Sequence, residues 1–345
     1  MEMPVEWFDQ YFFFLAKAVT VLVVVLLIVL VIAASKDRTR RSEGSLSVVR
    51  VNDRFSRMSE RLSHAVLSKS ARKAQEKQRK QEAKAKAKDA ASDAKGRLYV
   101  LNFHGDIKAS ALENLRHEVT AVLDLARPQD EILVRLESGG GMVHAYGLAA
   151  SQLVRIREAG IPLTIAVDKV AASGGYMMAC IADRILVAPF AMLGSIGVVA
   201  QLPNFNRLLK KHDVDFEMLT AGEYKRTLTV FGENSDKARE KFQEDLENIH
   251  QLFKRFVSRY RPALDIEAVA TGEVWFGSEA LDKHLADEVK TSDQYLSERV
   301  RQADVFELNY EQRKRLQDRL AGGMANAADR LLLTWASRFN NQRFW

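Results

Sequence analysis

The chain has 345 residues, 47% of them hydrophobic, with 51 Lys and Arg against 45 Asp and Glu for a net charge of +6. Its single cysteine, Cys180, excludes an intramolecular disulfide and a cysteine-based zinc cluster, and the 7 histidines show no metal-ligand spacing. The basic excess flanks the middle of the chain, from Lys36 to Arg97 and from Arg313 to Arg343, and without interleaved aromatics it does not read as a nucleic-acid arm.

From Ala18 to Ala34 the sequence is apolar except for Thr20, and Tyr11 to Leu15 extends the run past Lys17. With Lys17 snorkelling to the headgroups, the run reaches the roughly 20 residues that a bilayer core requires. Glu2, Glu6 and Asp9 precede it where a signal peptide would carry basic residues, so residues 1–35 read as an uncleaved N-terminal transmembrane helix. Lys36, Arg38, Arg40 and Arg41 follow directly, which by the positive-inside rule keeps the remainder in the cytoplasm. Residues 36–96, with alternating Ala and Lys over Ala83 to Lys88, read as a charged spacer, helical or disordered, near anionic lipid.

From Leu98 the pattern becomes strands alternating with helices. Leu98–Phe103, Glu131–Leu136 and Pro162–Val167 are predicted strands; Ser110–Leu125, Met142–Arg157 and Asp236–Tyr260 are predicted helices. This alternation predicts an α/β fold around a largely parallel sheet over residues 97–300. A second apolar window, Ile185 to Leu202, is interrupted by Gly194-Ser195-Ile196-Gly197 and reads as buried strands rather than a membrane span. Residues 301–345 read as a basic helical tail.

Two residues carry candidate chemistry. Ser173 lies in Val170-Ala171-Ala172-Ser173-Gly174-Gly175-Tyr176, where small neighbours let a serine stand at a strand-to-helix turn with the next N–H aimed at the same space. A hydroxyl needs a base, and no Ser/His/Asp arrangement is recognisable. Lys225, among Ala221, Gly222, Tyr224, Leu228 and Val230 with Arg226 beside it, has the surroundings that favour a neutral, basic amine. The plainer readings are a packing serine before two glycines and an exposed loop lysine. His144, near the glycine run, is a weaker rival base.

Glu137-Ser138-Gly139-Gly140-Gly141-Met142-Val143, Val170 to Tyr176, Gly194-Ser195-Ile196-Gly197 and Gly222-Glu223-Tyr224-Lys225, in that order, resemble the signal peptide peptidase A (S49) family of serine proteases. The resemblance implies a ClpP/crotonase-like fold and a Ser/Lys dyad, with Ser173 as nucleophile and Lys225 as general base. It also implies an oxyanion hole from the backbone N–H groups of Gly141 and Gly174, and Ser195 as the residue that orients the lysine. No metal and no cofactor are implied. Where this chain has Gly139 the family usually has proline. Short family members form closed rings in which one subunit's serine is completed by its neighbour's lysine, so a homo-oligomeric ring is expected. The implied setting is the bacterial cytoplasmic (inner) membrane. The resemblance places catalytic domains outside that membrane and the charge pattern places them inside, which leaves the side open.

The expected function is a membrane-anchored serine endopeptidase working through an acyl-enzyme on peptides, signal-peptide remnants or unfolded proteins. A crotonase-like acyl-CoA enzyme would need a carboxylate base and an adenine-diphosphate site, neither of which is evident. A non-catalytic membrane scaffold would leave Ser173 and Lys225 without a role.

Overall fold

The computed structural model describes residues 17, 19–21, 44–74, 77, 81 and 96–312. Chain contacts separate residues 46–310 as one compact unit, and all that follows concerns it. It opens with β1 (Ser45–Arg50) and α1 (Val51–Val66), followed by β2 (Arg97–Gly105), α2 (Leu112–Leu125), β3 (Glu131–Ser138) and α3 (Val143–Glu158). Next come β4 (Leu163–Val167), β5 (Val170–Ala172), α4 (Gly174–Ala179), β6 (Arg184–Val187) and β7 (Met192–Gly194). After α5 (Asn206–Lys211) and α6 (Asp236–Tyr260), the chain closes with α7 (Ile266–Val269), β8 (Val274–Phe276), α8 (Gly277–Asp282), β9 (Glu288–Val289), α9 (Ser292–Gln302) and β10 (Asp304–Glu311).

The strands form one mixed sheet in the order β1-β10-β2-β3-β4-β6-β9, and β5 leaves this path by pairing with β3 and then β7. All the registered pairs are parallel except β7 with β8. Alternation along each strand decides what each sheet face covers. Leu101, Phe103, Val134, Leu136, Ile165 and Val167 point to one face, where they are buried with Leu115, Tyr146, Ala149, Leu153 and Phe253 of the helices. Leu98, Val100, Leu133, Ala166 and Leu186 point to the other, under Val51, Tyr295 and Leu296. This gives helices on both sides of a central sheet, the α/β class that the alternation predicts.

Two boundaries differ from the sequence reading. Residues 45–66, expected in the spacer, belong to the folded unit. Val51 is fully buried against the sheet, and the Asn52 side chain donates to the Val300 and Ala303 carbonyls while accepting from Val305 N–H. One valine and one amide are too few to form a visible apolar face. Residues 304–311, expected at the start of a helical tail, form β10, which pairs parallel to β2 with Asp304 opposite Arg97 and Glu307 opposite Val100. Buried Val305 and Leu308 fasten it to the sheet. The apolar window 185–202 contains β6 and β7, buried strands as expected. The N-terminal anchor, apart from residues 17 and 19–21, and the tail from 313 lie outside the described residues. Among the described residues no helix is long and apolar enough to cross a membrane.

Candidate active site

Ser173 is the hinge between β5 and α4, with φ 52° and ψ −118°. A positive φ at a residue with a Cβ costs on the order of 1–3 kcal/mol and persists only when surroundings impose it. Here the Ser173 N–H donates to the Gly194 carbonyl at 2.8 Å, and the Ser173 carbonyl accepts from Met177 N–H at 2.9 Å. Buried Gly174, Gly175, Tyr176, Met178 and Ala179 hold α4 against the sheet. A serine on a strained strand-to-helix turn presents its hydroxyl outward, as nucleophilic serines do. Cys180 is no rival nucleophile, because complete burial pushes its thiol far above the ordinary range.

The glycine run after β3 packs on this turn. Gly140 has φ +88°, and a Cβ there would stand 2.8 Å from the Ser173 Cβ and 2.7 Å from the Gly174 nitrogen. A Cβ on Gly141 would overlap the Ile107 carbonyl oxygen at 2.2 Å. Both glycines are therefore required by close approach. Gly139 is different: a Cβ there meets nothing within 4 Å, so packing does not explain its identity. The Gly140 N–H donates to Ser138 Oγ at 3.0 Å and Met142 N–H to the Ile107 carbonyl at 2.9 Å. Between them the Gly141 N–H has no acceptor among the described residues, which leaves it available to an oxyanion.

Ser195 follows Gly194 (φ +102°) with a positive φ of its own, 50°. It lines a cavity of about 830 Å³ together with Ser173, Gly139, Gly140 and Gly141, so the structure brings these predicted residues together. The same cavity is lined by Glu247 and His250, one turn apart on α6. The His250 ring stands 3.2 Å from the Ile196 carbonyl and thereby steadies the Ser195 turn. These two residues escape sequence reading, since on a long amphipathic helix they look like ordinary surface positions. A second cavity, about 360 Å³, also opens at Ser173 and is mainly apolar, with Val143, Met177, Leu252, Phe253 and Phe256 among its walls.

Lys225 is not brought to Ser173 within the chain. It lies in an exposed turn, its N–H donating to the Gly222 carbonyl at 3.2 Å, and it lines neither Ser173 cavity. The surrounding segment exposes large apolar side chains, Val199 at 80% and Leu219 at 94%. His144 is also exposed and lines neither cavity. Among the described residues no group of three or more His, Cys, Asp or Glu is placed to hold a metal ion.

Ser173, at its positive φ, and Gly141, with its unengaged N–H, line the same two cavities at one end of the sheet. The chain belongs to peptidase family S49. The model of the family's N-terminal part, Peptidase family S49 N-terminal, matches residues 6–153, and that of Peptidase family S49 matches residues 155–305. Among its relatives, "Probable protease SohB" of Haemophilus influenzae is 58% identical over 222 residues, 64% of this chain and 63% of that protein. "Probable protease SohB" of Buchnera aphidicola subsp. Acyrthosiphon pisum is 52% identical over 239 residues, 69% of this chain and 71% of that protein. The chain thus spans about two thirds of the relatives it matches. A solved structure, the 1510-N membrane-bound stomatin-specific protease, aligns with a TM-score of 0.41 at 16% identity over 68% of this chain and 99% of that one.

Proposed function

We propose that the chain is a membrane-anchored serine endopeptidase of Ser/Lys type. The observation that carries this reading is the forced φ of Ser173 beside the unengaged Gly141 N–H. In this reading Ser173 Oγ attacks a peptide carbonyl while a lysine amine takes its proton. The oxyanion accepts from Gly141 N–H and Gly174 N–H. The lysine then returns the proton to the leaving amine as the C–N bond breaks, and water releases the acyl group from Ser173.

The base in this reading is Lys225 of a neighbouring copy, oriented by Ser195. The exposure of Lys225 and of the apolar side chains around it supports that arrangement, because docking a second chain would cover both. A contact of this kind, repeated head to tail with a rotation that closes, makes a ring. The architecture, a largely parallel sheet with helices on both faces and Ser173 at the end of β5, agrees with the ClpP/crotonase-like reading. The apolar cavity beside Ser173 suits an apolar side chain next to the scissile bond, as in signal-peptide remnants or unfolded exported and membrane proteins. The setting in this reading is the bacterial inner membrane.

The test is covalent. A fluorophosphonate should label the full chain at Ser173, and Ser173→Ala should lose both the label and cleavage of an unfolded protein substrate. Cleavage retained by Ser173→Ala would reject the nucleophile assignment.

A further inference from the structure

We infer that Tyr146 is a positioning residue for the oxyanion loop, acting through Ser138; the inference rests on the peptidase reading only for its kinetic consequence. Tyr146 OH lies 2.7 Å from the Asp106 carbonyl and 2.6 Å from Ser138 Oγ, and Ser138 Oγ lies 3.0 Å from the Gly140 nitrogen. The directions of these bonds follow from proton counting. A carbonyl oxygen only accepts, so the single phenol proton goes to Asp106. The serine hydroxyl then donates to the phenol oxygen, and its lone pair accepts the Gly140 N–H. Three hydrogen bonds thus run one way from the glycine loop to the Asp106 turn.

That turn is a firm anchor. The Asp106 carboxylate accepts from Ser110 N–H at 2.8 Å, Ser110 Oγ at 2.7 Å and Lys108 N–H at 3.1 Å. These bonds hold its carboxyl below the ordinary carboxylate range. Ile107, next in the turn, supplies the carbonyl that holds Met142 N–H. The N–H groups on both sides of Gly141 are therefore tied to one short turn.

The relay is dry. Tyr146 is fully buried and Ser138 is 2% exposed. A Cβ on Gly105 would stand 2.4 Å from the Tyr146 oxygen and 2.5 Å from Ser138 Oγ, so no water fits between them and Gly105. A Cβ on Gly174 would stand 2.4 Å from the Tyr146 ring. One side chain thus backs the Gly174 donor with its ring and holds the Gly141 donor through its hydroxyl. Three successive glycines supply no stiffness of their own, and the tether supplies it. Burial keeps the phenol proton bound above the ordinary tyrosine range, so the relay does not titrate near neutrality.

Tyr146→Phe keeps the ring and removes the relay; Ser138→Ala removes its middle. In the full chain, hydrogen exchange at the Gly140 amide should quicken at least about tenfold in both variants, while the Met142 amide keeps its protection. With a peptide substrate, kcat should fall about 10- to 100-fold with KM nearly unchanged, below the about 100- to 1000-fold loss for deleting a donor outright. A peptide boronate, which mimics the tetrahedral oxyanion, should lose affinity by the same factor. The double variant should be no worse than Ser138→Ala alone, since the bonds act in series; a packing defect would add. Unchanged Gly140 exchange in Tyr146→Phe, or equal losses in KM and kcat, would overturn the assignment. A wild-type chain that takes no label at Ser173 would fail the peptidase reading, and the tether is then decided by the exchange result.

Discussion

The Ser173 N–H and the Gly194 carbonyl, 2.8 Å apart, tie the strained Ser173 turn to the strand that delivers Ser195. The bond extends the parallel pairing of β5 with β7, in which Ala172 stands opposite Gly194. Gly194 itself has φ +102° and lies against Trp275, so its conformation and its missing side chain both fix where the carbonyl points.

Gly194→Ala should therefore disturb both serines at once. Its Cβ would stand 2.7 Å from the Trp275 ring and require a φ that alanine adopts at a cost of about 1–3 kcal/mol. Thermal unfolding should shift down by several degrees, and Ser173 labelling by a fluorophosphonate should slow more than the stability loss explains. Wild-type labelling in a destabilised Gly194→Ala would show that the turn holds its geometry without this bond.

Lys225→Arg separates base chemistry from charge. A guanidinium keeps the positive charge but does not give up its proton at accessible pH. Peptide turnover in Lys225→Arg and Lys225→Ala should fall at least about 100-fold, the low end of what general-base catalysis supplies. An active arginine variant would remove Lys225 from the proton transfer and turn attention to His250, which already lines the Ser173 cavity.

Much of the central unit is legible because its strands and helices have strong periods. Glu131–Ser138 carries the apolar run Ile132-Leu133-Val134 of a strand buried on both faces, and Ala171-Ala172-Ser173-Gly174-Gly175 has the small side chains that a tight strand-to-helix turn demands. The edge of the sheet is not legible. β10 pairs with β2 across some two hundred residues, and nothing local in Asp304–Glu311 points to that partner. Ser138 and Tyr146 look unremarkable in sequence because their link depends on the turn at Asp106. The gap between Ser173 and Lys225 is of another kind, since both residues are readable but the segment that holds Lys225 packs little of its apolar surface.

Truncation should locate the N-terminal boundary near residue 44 rather than near Arg97. Removing residues 1–96 strips Val51 from the sheet and Asn52 from Val300, Ala303 and Val305. One buried valine and three hydrogen bonds amount to roughly 3–6 kcal/mol before relaxation. A chain beginning at residue 44 should unfold cooperatively on heating, whereas one beginning at residue 97 should melt far lower or aggregate. Equal melting temperatures would return residues 45–66 to the spacer.

Glu118 makes stability pH-dependent. It is 3% exposed; its Oε1 accepts from Tyr310 N–H at 2.8 Å and its Oε2 has no partner among the described residues. Burial pushes its carboxyl from 4.5 up to about 7. The folded chain therefore binds the proton more tightly than the unfolded one, and this group favours the fold at low pH. Its contribution should decline as pH rises from about 4.5 to about 7, by on the order of 3 kcal/mol, and stay lost above that. Glu118→Gln should flatten that limb, so the difference in denaturant midpoint between variant and wild type should grow in favour of the variant from pH 5 to pH 8. A difference that does not change with pH would mean the carboxyl is ionised throughout.

The last prediction concerns where Lys225 meets a serine. Within one chain Lys225 is exposed and outside both Ser173 cavities, so the proposed mechanism takes Lys225 from a second copy. Ser173→Ala and Lys225→Ala are each inactive alone in that scheme. Co-expressed with distinct tags and purified through both, they should regain a measurable part of wild-type peptide turnover, because some contacts then pair an intact Ser173 with an intact Lys225. The recovery should vanish on dilution below the association range and return on concentration, which a dyad within one chain would not do. Doubly tagged material without recovered turnover would place both groups in one chain. Lys225 would then have to reach Ser173 by folding in the loosely packed segment around it, and exposure of Val199 and Leu219 should fall on substrate binding instead of on assembly.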